Sequence, residues 1–163
     1  EAVATARRDG AEHVVVFIHW GSDFSAVDKE MRWAAGILSG SGVDLVVGVG
    51  PQMVLPVEAV RGTPVVWSIG NSASGAPTLF TSSRPGQGLV VSAMLSSEGF
   101  EELRARCVVT DLKALSGPPE LCGLDLAKQM LAEHRWDIDE EGLGRFAWPK
   151  PWVEPSERDE ANP

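Results

Sequence analysis

Apolar residues in the first half of the chain fall into three short blocks, each running into a glycine. The first is His13-Val-Val-Val-Phe-Ile-His19, the second Val43 to Val49, and the third Pro64-Val-Val-Trp-Ser68. Continuous β-branched runs of this length suit strands covered on both faces. Between the first two blocks the pattern changes period. Phe24, Val27, Met31, Ala34, Ala35 and Leu38 recur at three-four spacing, which predicts a helix over about 24–39 with one buried face. Ser22 or Asp23 offers a cap at its start, and Gly40-Ser-Gly42 an end. Strand, helix, strand in this order implies a right-handed parallel crossover, so the strands near 13–18, 43–49 and 64–68 are expected to form a parallel set. Glu1 to Arg8 reads as the end of a helix, set off by Gly10.

The second half reads differently. Gly88 to Leu95 and Glu102 to Val109 look like paired strands around a turn near Ser96-Ser97-Glu98-Gly99, with no helix between them. A helix is expected from Leu124 to His134, with Leu124, Ala127 and Leu131 on one face. From Asp137 onward eight acidic residues face three basic ones, among four prolines. That composition predicts an irregular tail, 137–163, after a domain of 1–136. Phe146, Trp148 and Trp152 are placed to strap the tail onto the surface. One sheet and a few extra strands would leave the apolar faces of Val43 to Val49 and Gly88 to Leu95 in need of a cover. The expected cover is a segment outside this chain, a partner subunit or the Trp-rich tail.

At 163 residues the chain fits one domain with a real core, and 44% apolar with 23% charged residues is an ordinary globular balance. The net charge of −9, with no cluster of lysine and arginine, excludes a nucleic-acid surface. Cys107 and Cys122 are far apart and not in a CxxC arrangement, which leaves two buried thiols or one disulfide both open. No run of about 18 apolar residues exists to span a membrane. The chain opens at Glu1 without methionine, so it reads as a piece of a longer protein.

Strands in α/β sheets present functional residues at their carboxyl ends. Three such ends carry distinctive residues: His19-Trp20-Gly21, Gly48-Val-Gly-Pro-Gln52 and Ser68-Ile-Gly-Asn71. If the parallel set forms, His19, Gly48 and Asn71 share one rim. His19, directly after a strand, can present an imidazole to a metal, although a hydrogen-bonded structural histidine is the commoner case. His13 opens the same strand, roughly 20 Å away along extended chain, and belongs to the opposite end. His134 closes a helix, where a cation would complement the dipole. Ser22, Ser68 and Ser72 lie in no GxSxG elbow.

His19-Trp20-Gly21 followed by Asp23-Phe24 resembles the HWG-x-E-Y element of CapA-type poly-gamma-glutamate (capsule) synthesis proteins. Gly40-Ser-Gly-Val-Asp44-Leu-Val-Val-Gly48 resembles that family's "aGaDlViG", and Pro64-Val-Val-Trp-Ser-Ile-Gly-Asn71 its "i-x-Y-S-L-G-N-F". The resemblance covers about half the chain and fades after Thr78. It implies an α/β (α+β) fold: the carboxy-terminal half of a calcineurin-like metallophosphoesterase β-sandwich, with mixed sheets flanked by helices. It also implies a two-metal site at the strand ends, able to clamp a phosphoryl group and activate a hydroxide. His19 matches one family ligand. A histidine pair would come from the following GHHPH loop, and the remaining ligands from the half that would precede Glu1.

The departure from the pattern lies in that loop. Val49, Gly50 and Gln52 stand where the family has histidines, and none is a good transition-metal ligand. The expectation is therefore a CapA-like protein of capsule or poly-gamma-glutamate biosynthesis at the bacterial cell surface, with a degenerate metal site. Its partners would be an envelope polymer or the machinery that makes it, together with a missing amino-terminal segment or a partner subunit. A divalent metal would be held only if that missing segment supplied ligands. Metal retains His19 as its candidate, and the ligand-rim candidates are Trp20, Gly21, Asp23, Gly48, Gln52 and Asn71. Two alternatives stand beside this reading: a metal-dependent phosphoesterase completed by a missing amino-terminal half, and a non-catalytic partner-binding domain.

Overall fold

Val15–His19 (β1), Leu45–Val49 (β2) and Thr63–Ile69 (β4) form the expected parallel set, and Val54–Val60 (β3) closes the sheet antiparallel to β4, giving the order β1-β2-β4-β3. The computed structural model describes residues 1–71, 86–96, 99–110 and 118–147. The turn at 97–98, Ser72, Trp148 and Trp152 lie outside the described residues.

β3 was not anticipated. Pro56 interrupts Val54 to Val60 and removes a ladder donor, and such a strand is tolerated at a sheet edge. Between β1 and β2 runs the helix α2, Lys29–Gly40; the shorter α1, Ala2–Arg8, precedes β1. α2 starts five residues later than the apolar spacing predicts. Phe24 sits at φ 55, outside helical geometry, and the Asp28 carboxylate caps the helix by accepting from the Met31 amide at 2.8 Å.

The face of this sheet toward α2 is dry. Met31 and Ala35 pack against Val46, Val65 and Trp67, with Trp20, Val43 and Leu55 completing the cluster. α1 is held through Arg7, which donates to the Gly42 carbonyl and to the Asp44 carboxylate. Asp44 takes the Arg7 guanidinium at 2.5 Å and the Val14 amide at 2.6 Å. This aspartate of the Asp44-Leu-Val-Val-Gly48 stretch therefore fastens the amino-terminal end of the sheet, away from the rim.

A second sheet covers the other face. Gly86–Ser96 (β5) and Gly99–Thr110 (β6) pair antiparallel as expected, and the order β5-β6-β9-β8 is completed by Gly144–Phe146 (β9) and Asp137–Ile138 (β8). Glu120–Leu121 (β7) also pairs with β6. The molecule is thus α+β with two sheets, one mixed and one antiparallel. Leu45, Val57 and Val66 of the first sheet share one core with Leu89, Leu103, Ala105 and Cys107 of the second. The expectation of a single sheet with bare faces on Val43 to Val49 and Gly88 to Leu95 is corrected here. Leu45 and Leu89 are buried where the two sheets cover each other, and Val43 and Val46 are buried beneath α2, while Val90, Met94 and Leu95 of β5 stay exposed.

Residues 137–146, expected in an irregular tail, belong to the second sheet. Trp136 is buried, and its Cβ lies where any side chain at position 144 would go, 3.0 Å from a built Cβ. Asp139 shapes the connecting turn by accepting from the Glu141 and Leu143 amides. The helix α3, Leu124–Glu133, adds Ala127, Met130 and Leu131 to the shared core. The chain just beyond it reaches the β3 edge, where the Val57 amide donates to the His134 carbonyl at 3.1 Å.

The β3 side is therefore closed and the β1 side is open. Val15 and Phe17, on the face that should meet the second sheet, are 50% and 66% exposed. β1 was expected to be covered on both faces; it is an edge strand, and the far end of β5 reaches His13, just before it. There the imidazole meets the Ser96 carbonyl at 3.2 Å and the Phe100 ring at 5.9 Å between centroids.

Of the two states left open for the cysteines, the structure shows the disulfide, Cys107–Cys122, with a Cα–Cα distance of 5.4 Å. It joins β6 to the segment entering α3 across a sequence separation of 15, a loop whose closure stabilises by about 3 kcal/mol in the chain-entropy account. Replacing both cysteines by serine should lower the urea-unfolding free energy by about 2–4 kcal/mol. Reduction should do the same to the wild type and nothing to the variant.

Candidate functional site

The carboxyl ends of β1, β2 and β4 are drawn together by the ladder itself. Ile18 stands beside Gly48 and His19 beside Val49, one strand spacing of about 4.8 Å apart. Val47 pairs with Val66, so β4 runs out at the same end, to Gly70 and Asn71. His19, Gly48 and Asn71 share one rim, as the spacing required.

Trp20 organises that rim. Its backbone amide donates to the Val49 carbonyl at 2.9 Å, and its indole Nε1–H to the Trp67 carbonyl at 2.8 Å. The two indoles lie 5.3 Å apart between centroids. Gly48 lets the indole cross β2, since a Cβ there would overlap both the Trp67 carbonyl oxygen and Trp20 Nε1. On its other side the Trp67 ring carries the Arg32 guanidinium at 5.3 Å, and its Nε1–H donates to Glu58 at 2.8 Å. A partly desolvated cation over an indole adds about 0.5–2 kcal/mol.

The rim candidates separate into two layers. Trp20 and Gly48 are buried and shape the rim from beneath. His19, Gly21 and Asp23 are exposed at its surface, and Gln52 and Asn71 are half-buried. Asn71 is held through its backbone, donating to the Gln87 carbonyl at 2.9 Å, beside the Gly70–Gly88 bridge to the second sheet. Two non-glycine residues with left-handed backbone stand on this rim, Phe24 and Gln52, each at φ 55. Phe24 is 58% exposed, and Met53 is exposed beside it in sequence from Gln52. Backbone in that region costs of order 1–3 kcal/mol per residue and concentrates at binding sites. The sequence alone offered no sign of the strain at Phe24 and Gln52, since neither residue type favours it.

As a metal cradle the donor set is poor. His19 and Val49 are ladder partners and project to the same face, so valine stands where a second imidazole would meet the first. Gly50 brings no side chain and Gln52 a neutral amide. Among the described residues no three His, Cys, Asp or Glu side chains converge as a ligand set.

The remaining histidines sit elsewhere. His134 caps the end of α3, but burial pushes its imidazole below the ordinary value of 6.5, outweighing the nearby Glu133 carboxylate. The cationic, dipole-complementing role expected for it is not the favoured state, because desolvation penalises the charge. On the outer face of the second sheet, Arg145 and then Arg104 hold the Glu102 carboxyl below the usual range. The Leu143 amide does the same for Asp139.

The strand ends that build this rim lie within the stretch that matches known proteins. Residues 1–76 match the family model described as bacterial capsule synthesis protein PGA_cap. Over 62 residues the chain is 36% identical to the PGA biosynthesis protein CapA of Bacillus subtilis (strain 168), a stretch making up 37% of this chain and 16% of that protein. The HWG, Asp44-Leu-Val-Val-Gly48 and Ser-Ile-Gly-Asn71 elements lie within the matched residues, and over 1–76 the chain is similar to CapA-type capsule synthesis proteins. The matched region contains α1, α2 and the whole first sheet, and ends before the second.

A histidine whose folded pKa is depressed binds fewer protons than in the unfolded chain, so its contribution is present above pH 6.5 and is lost as pH falls below it. Thermal unfolding followed from pH 7.5 down to 5 should show a falling midpoint, and His134→Gln should flatten that slope. The carboxylates Glu102 and Asp139, also depressed, lose their contribution only in a lower window, as pH falls through their folded pKa values.

Proposed function

We propose that this chain is part of a CapA-like protein of bacterial capsule or poly-gamma-glutamate biosynthesis at the cell envelope, serving as a binding or scaffolding domain with a degenerate metal site. The match of residues 1–76 supports the biosynthetic assignment. The single observation that carries the non-catalytic part is the ladder pairing of His19 with Val49. The loop that should face His19 with imidazoles offers an alkyl group, a bare backbone and a neutral amide. A calcineurin-like two-metal centre needs several anionic or imidazole ligands converging on two cations; Asp23 and His19 are too few. The Cys107–Cys122 disulfide is consistent with an oxidising, extracytoplasmic setting. Among the described residues no helix is long and apolar enough to cross a membrane.

The open β1 side belongs to the same reading. The matched stretch is only 16% of its relative's length, and we assign the cover of Val15 and Phe17 to the remainder of a longer CapA-type chain. Extended edges with exposed apolar side chains are sites of strand addition. A metal-dependent phosphoesterase is the second reading, favoured by one observation: His19 projects on this same open face, where a further segment could bring ligands to it.

Elemental analysis after dialysis should find far less than one equivalent of zinc, manganese or iron per chain, with no hydrolysis of a chromogenic phosphodiester. Two tightly held metals, both lost on His19→Ala, would restore the phosphoesterase. Light scattering should show self-association of the isolated chain, relieved by Val15→Thr with Phe17→Thr at an unchanged unfolding midpoint. A monomer indifferent to that change would refute the open face. In the producing bacterium, deletion of the gene should diminish the surface polymer, and complementation with His19→Ala should restore it.

A further inference from the structure

The connection Val49-Gly50-Pro51 is tied to the segment leaving β1 at two points. Trp20 donates to the Val49 carbonyl at 2.9 Å and Phe24 to the Pro51 carbonyl at 2.8 Å. Between these ties Gly50 runs at φ +124, with the space on its side-chain side filled by the Trp20 backbone. A Cβ built there would overlap the Trp20 carbonyl oxygen and lie 3.1 Å from the carbonyl carbon and 3.2 Å from the nitrogen. None of these is the end of a flexible side chain. Trp20 in turn cannot retreat, because its indole is buried and bonded to the Trp67 carbonyl. Pro51, the next residue, is itself fully buried.

We infer that this loop is a backbone clamp that admits no side chain at position 50, so that restoring histidines to it does not restore a metal centre. The inference rests on the degenerate-site reading and goes beyond it. Val49 offers no metal ligand and Gln52 a poor one, but their positions can carry a longer side chain: both are half-buried, and Val49 already projects beside His19. Position 50 differs in kind, since any β-carbon there forces the β1 and β2 exits apart. The clamp serves instead to hold His19, Gly21 and Asp23 on a fixed surface, with the strained Gln52 next to it.

Glycine-to-alanine substitutions separate the two sources of cost. Gly62 also has positive φ, at +84, yet a Cβ there meets nothing within 4 Å. Gly62→Ala therefore reports backbone conformation without overlap, and Gly50→Ala reports overlap together with the larger conformational cost of φ +124. The unfolding midpoint of Gly50→Ala should fall roughly 5–10 °C further than that of Gly62→Ala. Equal shifts for the two would overturn the clamp. Val49→His with Gln52→His should fold with a midpoint near wild type and bind manganese or zinc, by equilibrium dialysis, within about tenfold of wild type. Adding Gly50→His should lower the midpoint again without tightening metal binding. A triple variant that keeps the wild-type midpoint and binds either metal at least about a hundredfold more tightly would refute the inference. Two metals on the wild-type chain would instead refute the degenerate-site reading, which keeps the two failures distinct.

Discussion

The Trp20 indole crosses β2 above Gly48 and donates to the Trp67 carbonyl, and the arrangement of the rim follows from that one contact. It joins the exits of three parallel strands with a single side chain. Because the indole N–H is buried, leaving it unpaired would cost about 1–3 kcal/mol, so the geometry is enforced. Gly48 is required for the crossing. The Trp20 backbone then occupies the space a side chain on Gly50 would need, and β2 leaves the sheet in left-handed geometry. Trp67 is anchored in return by Arg32 over its ring and Glu58 at its Nε1. What reaches solvent above this interlock is a small set of groups: His19, Asp23, Phe24 and the amide of Gln52.

The two faces of the first sheet are covered by different means. α2 seals one with Met31 and Ala35, and the second sheet seals the other as far as β2. The cover stops short of β1, where Val15 and Phe17 face water. At the opposite edge, α3 and the disulfide complete the closure, and the His134 carbonyl takes up the free Val57 amide of β3. The first sheet is thus closed at its β3 edge and exposed at its β1 edge.

Much of the fold was legible. The runs ending at His19, Val49 and Ile69 and the three-four pattern through Met31, Ala35 and Leu38 specify a parallel set with a packed helix, since period and composition constrain strands and helices locally. The hairpin of β5 and β6 was equally plain. The start of α2 was not, because apolar spacing continues back to Phe24 while the cap that ends it is the carboxylate of Asp28. β3 hid behind Pro56. Residues 137–146 read as tail because acidic residues dominate their composition, whereas Trp136 and Gly144 decide their place by packing. The candidates His19, Gln52 and Asn71 were found from strand ends; the strain at Phe24 and Gln52 left no trace in residue type.

By itself the sequence determined which residues lie on strands and helices, the order of the parallel exits, and the absence of imidazole from the loop after Gly48. These depend on residue identity and short-range periodicity. The tertiary structure alone decided which strand is an edge, how the two sheets cover each other, and that Cys107 meets Cys122. It alone showed that a Cβ at position 50 would overlap the Trp20 carbonyl oxygen, and that burial lowers the pKa of His134. A β-branched run is the same string whether buried or at an edge, and a glycine the same letter whether free or wedged. Burial and steric overlap arise only when residues far apart in the chain are brought within a few ångströms.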